Sequence, residues 1–413
     1  MDSWEVMDET TRPPRVVALD EAQGMDRAAL VRMAEAVRAK GESLTVEYVV
    51  GGEGESLESV NATLALAIEL YERFGVVPRV RYLREGLERF RWTFEERLRA
   101  ADGPEKLVMN VTYVCNNRCT FCAVGTRTQV DGHPERQREH LDKYRAMGVR
   151  MVDFDGGEPT LNPELIALVR YARDIGYERI NVTTNGRMCF YERYARELVR
   201  SGLTTLLFSV HGANARTHAQ QVGVAEAFEQ TVGGIRNALR HAPPGVELGM
   251  NVTLTKGNHR EVDAIVALAW SLGLRWVNLQ FLTPFGRATR WVAPDTREAA
   301  NEVMRTIDRW GHRMKFQVIN LPFCFMPGYE RFLVGDLQKL QRRMVFVNND
   351  DVNLADYLGA QRVKKPVCAP CPHAVFCGGF YELQDAPEAP WIVRPEDLVR
   401  PVFKRAVAEE RSG

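Results

Sequence analysis

The feature that most restricts how this chain can fold is an alternation that begins at Leu107. Six runs rich in β-branched residues, "LVMNVTYVC", "VRMVDFDGG", "RINVTTNG", "TTLLFSVHG", "ELGMNVTLT" and "RWVNLQFLT", are separated by amphipathic helical stretches. Parallel neighbours need a helical crossover, so repeated β-then-α steps predict an α/β fold with a parallel sheet covered by helices. Six steps in succession predict a partial (β/α)6, TIM-like barrel. The stretch "NPELIALVRYARDIG" reads as one of its helices, capped by Asn162, with Pro163 at the first helical position and a stop at Gly176. Cys115, Gly156, Gly157, Glu158, Asn185, His211 and Thr255 all follow strand ends, on the face where parallel α/β proteins bind ligands.

The pattern divides the chain into residues 1–105, a small α/β domain; 106–290, the partial barrel; 291–385, a cysteine-bearing extension; and 386–413, a tail. In the first domain "RVVAL", "LTVEYVV" and "PRVRYL" predict strands, with helices over 26–40, 57–74 and 86–100. Its "GGEGES" lacks the Lys-Ser/Thr ending of a phosphate loop and reads as a plain loop. Beyond Pro284 a helix is expected over 296–312, then a strand in "KFQVINLPF"; "APEAPW" reads as linker or tail.

Charge narrows the partners. Lys plus Arg and Asp plus Glu are 54 each, which gives no basic footprint for nucleic acid or acidic lipid, so a small molecule or a peptide is the expected partner. The acidic, polar start "MDSWEVMDETTRPP" is unlike a secretory signal, and no run approaches the roughly 18 apolar residues of a membrane span. A cytoplasmic location is therefore expected. In a reducing compartment, clustered cysteines are metal ligands or redox thiols more often than disulfides.

Three of the 8 cysteines crowd into "CNNRCTFC" at the end of the first barrel strand. The x3 and x2 spacings let one short loop wrap Cys115, Cys119 and Cys122 around one soft metal centre. No fourth ligand lies nearby, which in a 4Fe–4S cluster leaves one iron open, as a catalytic site requires. A zinc knuckle with a distant ligand, or unligated buried thiols, are the plain alternatives. Cys-x3-Cys-x2-Cys with Phe121 before the last cysteine closely resembles the motif of the radical S-adenosylmethionine (radical SAM) enzymes, over residues 107–284. That resemblance implies an open iron chelated by the amino and carboxylate groups of S-adenosylmethionine, whose reductive cleavage leaves methionine and a 5′-deoxyadenosyl radical that removes a substrate hydrogen atom. A reducing partner such as flavodoxin or ferredoxin is implied with it.

The same resemblance assigns cofactor contacts. Gly156, Gly157 and Glu158 match the Gly-Gly-Glu element that receives the methionine ammonium: glycines admit close backbone approach, and a carboxylate offers a charge-assisted acceptor. Asn185 and Ser209 are the candidates for the ribose and the methionine carboxylate. Asn251 ranks below them; it alternates with Thr253 toward one face. Residues 279–281 are candidates to line the adenine. His211 reads either as a pocket acid or base or as a structural imidazole.

A second group, Cys368, Cys371 and Cys377, is spaced x2 and x5 in "CAPCPHAVFCGG", and Cys324 lies upstream. Four thiolates complete a cluster or a zinc site, with His373 as a possible substitute ligand. The arrangement resembles the SPASM or twitch extension of radical SAM enzymes, but Tyr381 stands where the full SPASM pattern continues with cysteine. One auxiliary 4Fe–4S cluster is thus the ceiling, and Cys189 reads as a buried thiol. The resemblance implies a radical SAM enzyme acting on a ribosomal peptide, with small-molecule or cofactor biosynthesis as the alternative. A non-catalytic electron carrier or zinc protein is the rival of another class.

Overall fold

The computed structural model describes residues 15–19, 27–99, 104–333 and 339–385. The polar start of the chain, the tail 386–413 and its "APEAPW" segment lie outside them. The described residues divide into two compact units: 15–19, 27–99 and 366–376 form one, and 104–333, 339–365 and 377–385 the other.

The first unit runs β1 (Arg15–Leu19), α1 (Arg27–Ala39), β2 (Leu44–Val50), α2 (Leu57–Phe74), β3 (Val77–Tyr82), α3 (Glu88–Arg99), with a parallel sheet in the order β1-β2-β3. Its core is built from Leu30, Val46, Val50, Leu64, Phe90 and Phe94. Helix α2 starts where Ser56 accepts from the Ser59 amide and stops at Gly75, whose φ of 72° is the left-handed conformation that a glycine cap supplies. In the glycine-rich loop the amides of Gly51 and Gly52 donate to the Glu55 carboxylate, so an internal anion occupies the place a phosphate would need.

The second unit continues with β4 (Lys106–Thr112), α4 (Pro134–Ala146), β5 (Met151–Gly156), α5 (Leu165–Asp174), β6 (Arg179–Thr184), α6 (Glu192–Val199) and β7 (Thr205–Ser209). Then come α7 (Ala215–Val222), α8 (Ala227–His241), β8 (Glu247–Thr253), α9 (Val262–Ser271), β9 (Trp276–Gln280), α10 (Thr296–Trp310) and β10 (Lys315–Ile319). It ends with β11 (Arg342–Val345), β12 (Asp351–Asn353), α11 (Leu354–Gly359), β13 (Arg362–Val363) and β14 (Phe380–Tyr381). The last two strands pair with each other.

All six expected barrel strands are present, in a 9-stranded sheet ordered β10-β9-β8-β7-β6-β5-β4-β11-β12. Every pairing in it is parallel except that of β11 with β12. Among the described residues the sheet ends at β10 on one side and β12 on the other, so the barrel is open there. It is also wider than six strands: β10 extends one side, and β11 pairs with β4 on the other, Arg342 opposite Lys106. Helix α5 is assigned from Leu165, two residues past the predicted start at Pro163, yet Asn162 still accepts from the Glu164 amide as a cap does, while its Nδ2 donates to Val111 O.

The two faces of the sheet differ in chemistry. Buried outward positions are apolar: Leu107, Met109, Val152, Phe154, Ile180, Val182, Leu206, Phe208, Met250, Val252, Val277 and Leu279. Alternate residues on the same strands line a cavity of about 590 Å³, and they are largely polar: Asn110, Asp153, Asp155, Asn181, Thr183, Ser209, Asn251, Thr253, Asn278, Gln280 and Gln317. A period-2 strand buries one set against helices and leaves the other set free to line a space. Where a filled barrel puts branched apolar side chains inside, this one puts amides, hydroxyls and carboxylates.

Candidate functional site

The cysteine loop leaves the C-terminal end of β4 and is held by its backbone. The amides of Arg118 and Thr120 donate to Val222 O (2.8 Å) and Gln221 O (3.0 Å) at the end of α7, and the Arg287 amide donates to Cys122 O (3.0 Å). Cys115, Cys119 and Cys122 are all half-buried and all line the cavity. Burial pushes the Cys115 thiol up to about 11, against the amide of Asn117, which donates to its sulfur; burial also pushes Cys119 and Cys122 up. Burial holds these thiols neutral, and as thiolates they need a cationic group in place of their protons. Among the described residues no three His, Cys, Asp or Glu side chains converge as a single metal ion requires. A cluster spreads its thiolates over separate irons, a wider arrangement.

The end of β5 is packed against the end of β4, and that contact dictates its glycines. Gly156 has φ of 131°, and a Cβ there would lie 2.3 Å from Thr112 O; at Gly157 it would lie 2.6 Å from Val114 O. Their missing side chains are therefore filled by backbone, with Gly157 N and Glu158 N donating to Thr112 O and Val114 O.

Glu158 is 1% exposed and already heavily engaged. One oxygen accepts from the Thr160 amide (3.1 Å), the Thr160 hydroxyl and the Thr184 hydroxyl (2.6 Å); the other accepts from the Asn185 amide (2.6 Å). This carboxylate ties the ends of β5 and β6 together, and its second oxygen, with one donor, keeps spare acceptor capacity. Burial raises its pKa and these donors oppose the rise.

Asn185 links the two halves of the site: its Nδ2 donates to Asn116 Oδ1 (2.7 Å) inside the cysteine loop. Phe121 meets His211 edge-on at 4.7 Å between ring centroids. Ser209 and Asn251 are neighbours in register on β7 and β8, Asn251 and Thr253 share the inner face as their spacing predicts, and Gln280 and Phe281 line the same cavity. Another part of the wall is aromatic, with Phe285 stacked on Tyr357 at 5.1 Å and Phe346 edge-on to it at 5.3 Å.

Two participants escape the sequence reading. Arg187 donates to Asn116 O, to Asn117 Oδ1 (3.0 Å) and to Gln230 Oε1 (2.7 Å), clamping the cysteine loop to α8. Its only sequence signal is adjacency to "TTNG", because its partners in the cysteine loop lie about 70 residues away. Asp155 lines the cavity, and burial raises its carboxyl to about 6. It was legible: Asp153 and Asp155 are charges at i and i+2 in an apolar strand and share a face.

His211 and His218 resolve as a neutral pair. The Thr253 amide donates to His211 Nδ1 (3.1 Å) and the His211 amide to His218 Nδ1 (3.1 Å), so both rings carry their proton on Nε2. The rings stack at 6.1 Å. Burial, aided by the neighbouring His218, lowers His211 to about 3, and burial lowers His218 to about 4. Unfolded histidines take up a proton near pH 6.5, so the folded state loses stability as pH falls below about 6.5, by as much as about 1.4 kcal/mol per unit for each ring. We expect the Tm of the metal-free protein to fall between pH 6.5 and 5, and more shallowly in His218→Gln. Parallel melting curves for the two proteins would contradict this.

Cys368 and Cys371 belong to the first unit, Cys324 and Cys377 to the second. Cys324 sits in the 3-10 turn Phe323–Phe325 and Cys368 ends the turn Pro366–Cys368. Cys189 is fully buried, as expected of a packed thiol.

Comparison with known proteins adds the decisive observation. Residues 109–269 match the family model of the radical SAM superfamily. The chain carries a radical SAM domain. Cys115, Cys119, Cys122, Gly156, Gly157, Glu158, Asn185, Ser209 and Asn251 fall within that domain, and the superfamily's members are enzymes that use a 4Fe–4S cluster and S-adenosylmethionine. The chain is 28% identical over 242 residues to the AdoMet-dependent heme synthase of Methanosarcina barkeri, covering 58% of this chain and 66% of that protein. It is 30% identical over 185 residues to a probable GTP 3′,8-cyclase of Saccharolobus solfataricus, covering 44% of this chain and 58% of that protein. The chain thus spans less than two thirds of the length of these curated relatives.

In fold, the radical SAM domain and its surroundings resemble Streptococcus suis SuiB bound to S-adenosylmethionine, with a TM-score of 0.56 at 15% identity, over 71% of this chain and 77% of that one. They also resemble anSMEcpe with bound AdoMet and Cp18Cys peptide, with a TM-score of 0.54 at 14% identity, over 75% and 99%.

Proposed function

We propose that this protein is a radical SAM enzyme that abstracts a hydrogen atom from a bound substrate. The observation that carries this reading is the trio Cys115, Cys119 and Cys122 at the mouth of a polar cavity at the C-terminal ends of parallel strands. These thiols would hold a 4Fe–4S cluster with one iron left for S-adenosylmethionine. When bound, the cluster supplies the electron that cleaves S-adenosylmethionine to methionine and a 5′-deoxyadenosyl radical. The chain's own part is positional. Arg187 and Asn185 fix the loop, the Gly156-Gly157 turn and Glu158 present backbone and carboxylate, and Ser209 and Asn251 offer polar groups on adjoining strands.

A second 4Fe–4S cluster on Cys324, Cys368, Cys371 and Cys377 is part of the proposal and rests on the spacing in the sequence. A flavodoxin or ferredoxin as reductant and a cytoplasmic location complete it; among the described residues no helix is long and apolar enough to cross a membrane.

For the substrate we favour a peptide, supported by the fold shared with SuiB, seen also bound to precursor peptide SuiA, and with peptide-bound anSMEcpe. A small-molecule substrate is a second reading, favoured by the names of the two curated relatives. Anaerobic reconstitution, then dithionite and S-adenosylmethionine, is expected to yield 5′-deoxyadenosine; an electron carrier or zinc protein would yield none. A short peptide encoded beside this gene, added to the same mixture, is expected to change mass. An unchanged peptide, with 5′-deoxyadenosine output that rises on adding a small-molecule extract of the cells, would favour the second reading.

A further inference from the structure

The first unit holds more than its own sheet. Residues 366–376 belong to it although they follow the barrel by sequence, and they carry Cys368 and Cys371. In "CAPCPH" both Ala369 and Cys371 precede a proline. A peptide bond to proline has no N–H, so its only polar group is the carbonyl, and the residue before proline is held extended. Those two carbonyls accept from one side chain: Asn61 Nδ2, on α2, donates to Ala369 O (2.7 Å) and Cys371 O (3.0 Å), using both of its hydrogens. The next carbonyl, Pro372 O, accepts from the Thr93 hydroxyl on α3 (2.7 Å), closer than that hydroxyl's other neighbour, Phe90 O at 3.1 Å.

Asn61 is 8% exposed and Thr93 0%. The loop closes on itself through Cys371 N to Cys368 O (3.1 Å) and Ala374 N to Cys371 O (3.0 Å). Val375 packs on the unit's core, and Phe376 meets Trp92 of α3 edge-on at 6.1 Å. Three carbonyl acceptors within four residues are thus assigned to two buried side chains that lie 279 to 310 residues away in sequence.

We propose that the N-terminal α/β unit is a mount for the Cys368-x2-Cys371 loop: Asn61 and Thr93 fix the loop's carbonyls and thereby the direction in which its two thiols are presented. Asn61 and Thr93 are positioning residues for a metal site. As regards a cluster at those thiols, the inference rests on the second-cluster reading above.

The test uses the full chain as wild type, Asn61→Leu, Thr93→Val, Thr93→Ser and Cys371→Ala, with two readouts. After anaerobic reconstitution the wild type is expected to bind about eight irons per chain, and Asn61→Leu and Thr93→Val about four, like Cys371→Ala. Thr93→Ser, which keeps the hydroxyl, is expected to stay near eight. In metal-free protein, alkylation of Cys371 by iodoacetamide is expected to quicken about tenfold in Asn61→Leu and Thr93→Val, with Cys115 unchanged as the internal reference. Wild-type iron content and wild-type alkylation in both variants would overturn the mount. Four irons in the wild type, with faster Cys371 alkylation in the variants, would overturn the second cluster and leave the mount standing. If Asn61→Leu fails to fold, the Thr93→Val and Thr93→Ser pair decides.

Discussion

Cys119→Ala is expected to reduce 5′-deoxyadenosine formation to that of protein-free controls while leaving the fold intact. The two halves of that expectation have separate causes. Activity is lost because three thiolates are the whole local ligand set, and no other side chain in the loop replaces a soft sulfur ligand. The fold is kept because backbone bonds, not the metal, hold the loop: Arg118 N to Val222 O, Thr120 N to Gln221 O and Arg287 N to Cys122 O all survive the substitution. Liquid chromatography of the reaction and a melting curve of the metal-free variant check both halves. Residual product near the wild-type level would remove Cys119 from the ligand set.

Glu158→Ala is expected to give the largest stability loss of any single change at the site. Its carboxylate is the acceptor for four hydrogens, from the Thr160 amide and hydroxyl, the Thr184 hydroxyl and the Asn185 amide. Alanine would leave these buried donors without a partner. An unsatisfied buried donor costs about 1–3 kcal/mol, and with partial relaxation we expect roughly 3–5 kcal/mol in total, which corresponds to a Tm lower by about 6–20 °C in a unit of this size. Glu158→Gln keeps one acceptor oxygen but turns an N–H group toward another N–H donor, so an intermediate loss is expected. Measured without metal, these shifts do not depend on cofactor. An unaltered Tm in Glu158→Ala would contradict the bracing role.

Much of this was legible because it is local. The spacing of Cys115, Cys119 and Cys122, the glycines at β5 and the alternation of Asn251 with Thr253 are properties of short stretches, and the structure brings these residues to one cavity. The six barrel strands and α2 were likewise written in their own periodicity. What stayed hidden depends on distant partners. Strand β11, "RRMV", is short, and its place in the sheet is given only by its pairing with β4. Arg187 is one arginine among many until Asn116 and Asn117 are placed beside it. The glycines at Gly156 and Gly157 were legible as glycines, but the reason for them, backbone of 112–114 where a side chain would sit, was not. The role of the first unit toward Cys371 was invisible for the same reason.

The central claim is that a cluster bound through Cys115, Cys119 and Cys122 keeps one iron free for S-adenosylmethionine. The most direct measurement is electron paramagnetic resonance of the reduced, reconstituted Cys368→Ala/Cys371→Ala protein, which retains all three of those ligands, with and without S-adenosylmethionine. The account predicts a single cluster signal whose g values move when S-adenosylmethionine is added. A signal that stays the same, or a protein that carries zinc and no iron at those cysteines, would contradict it.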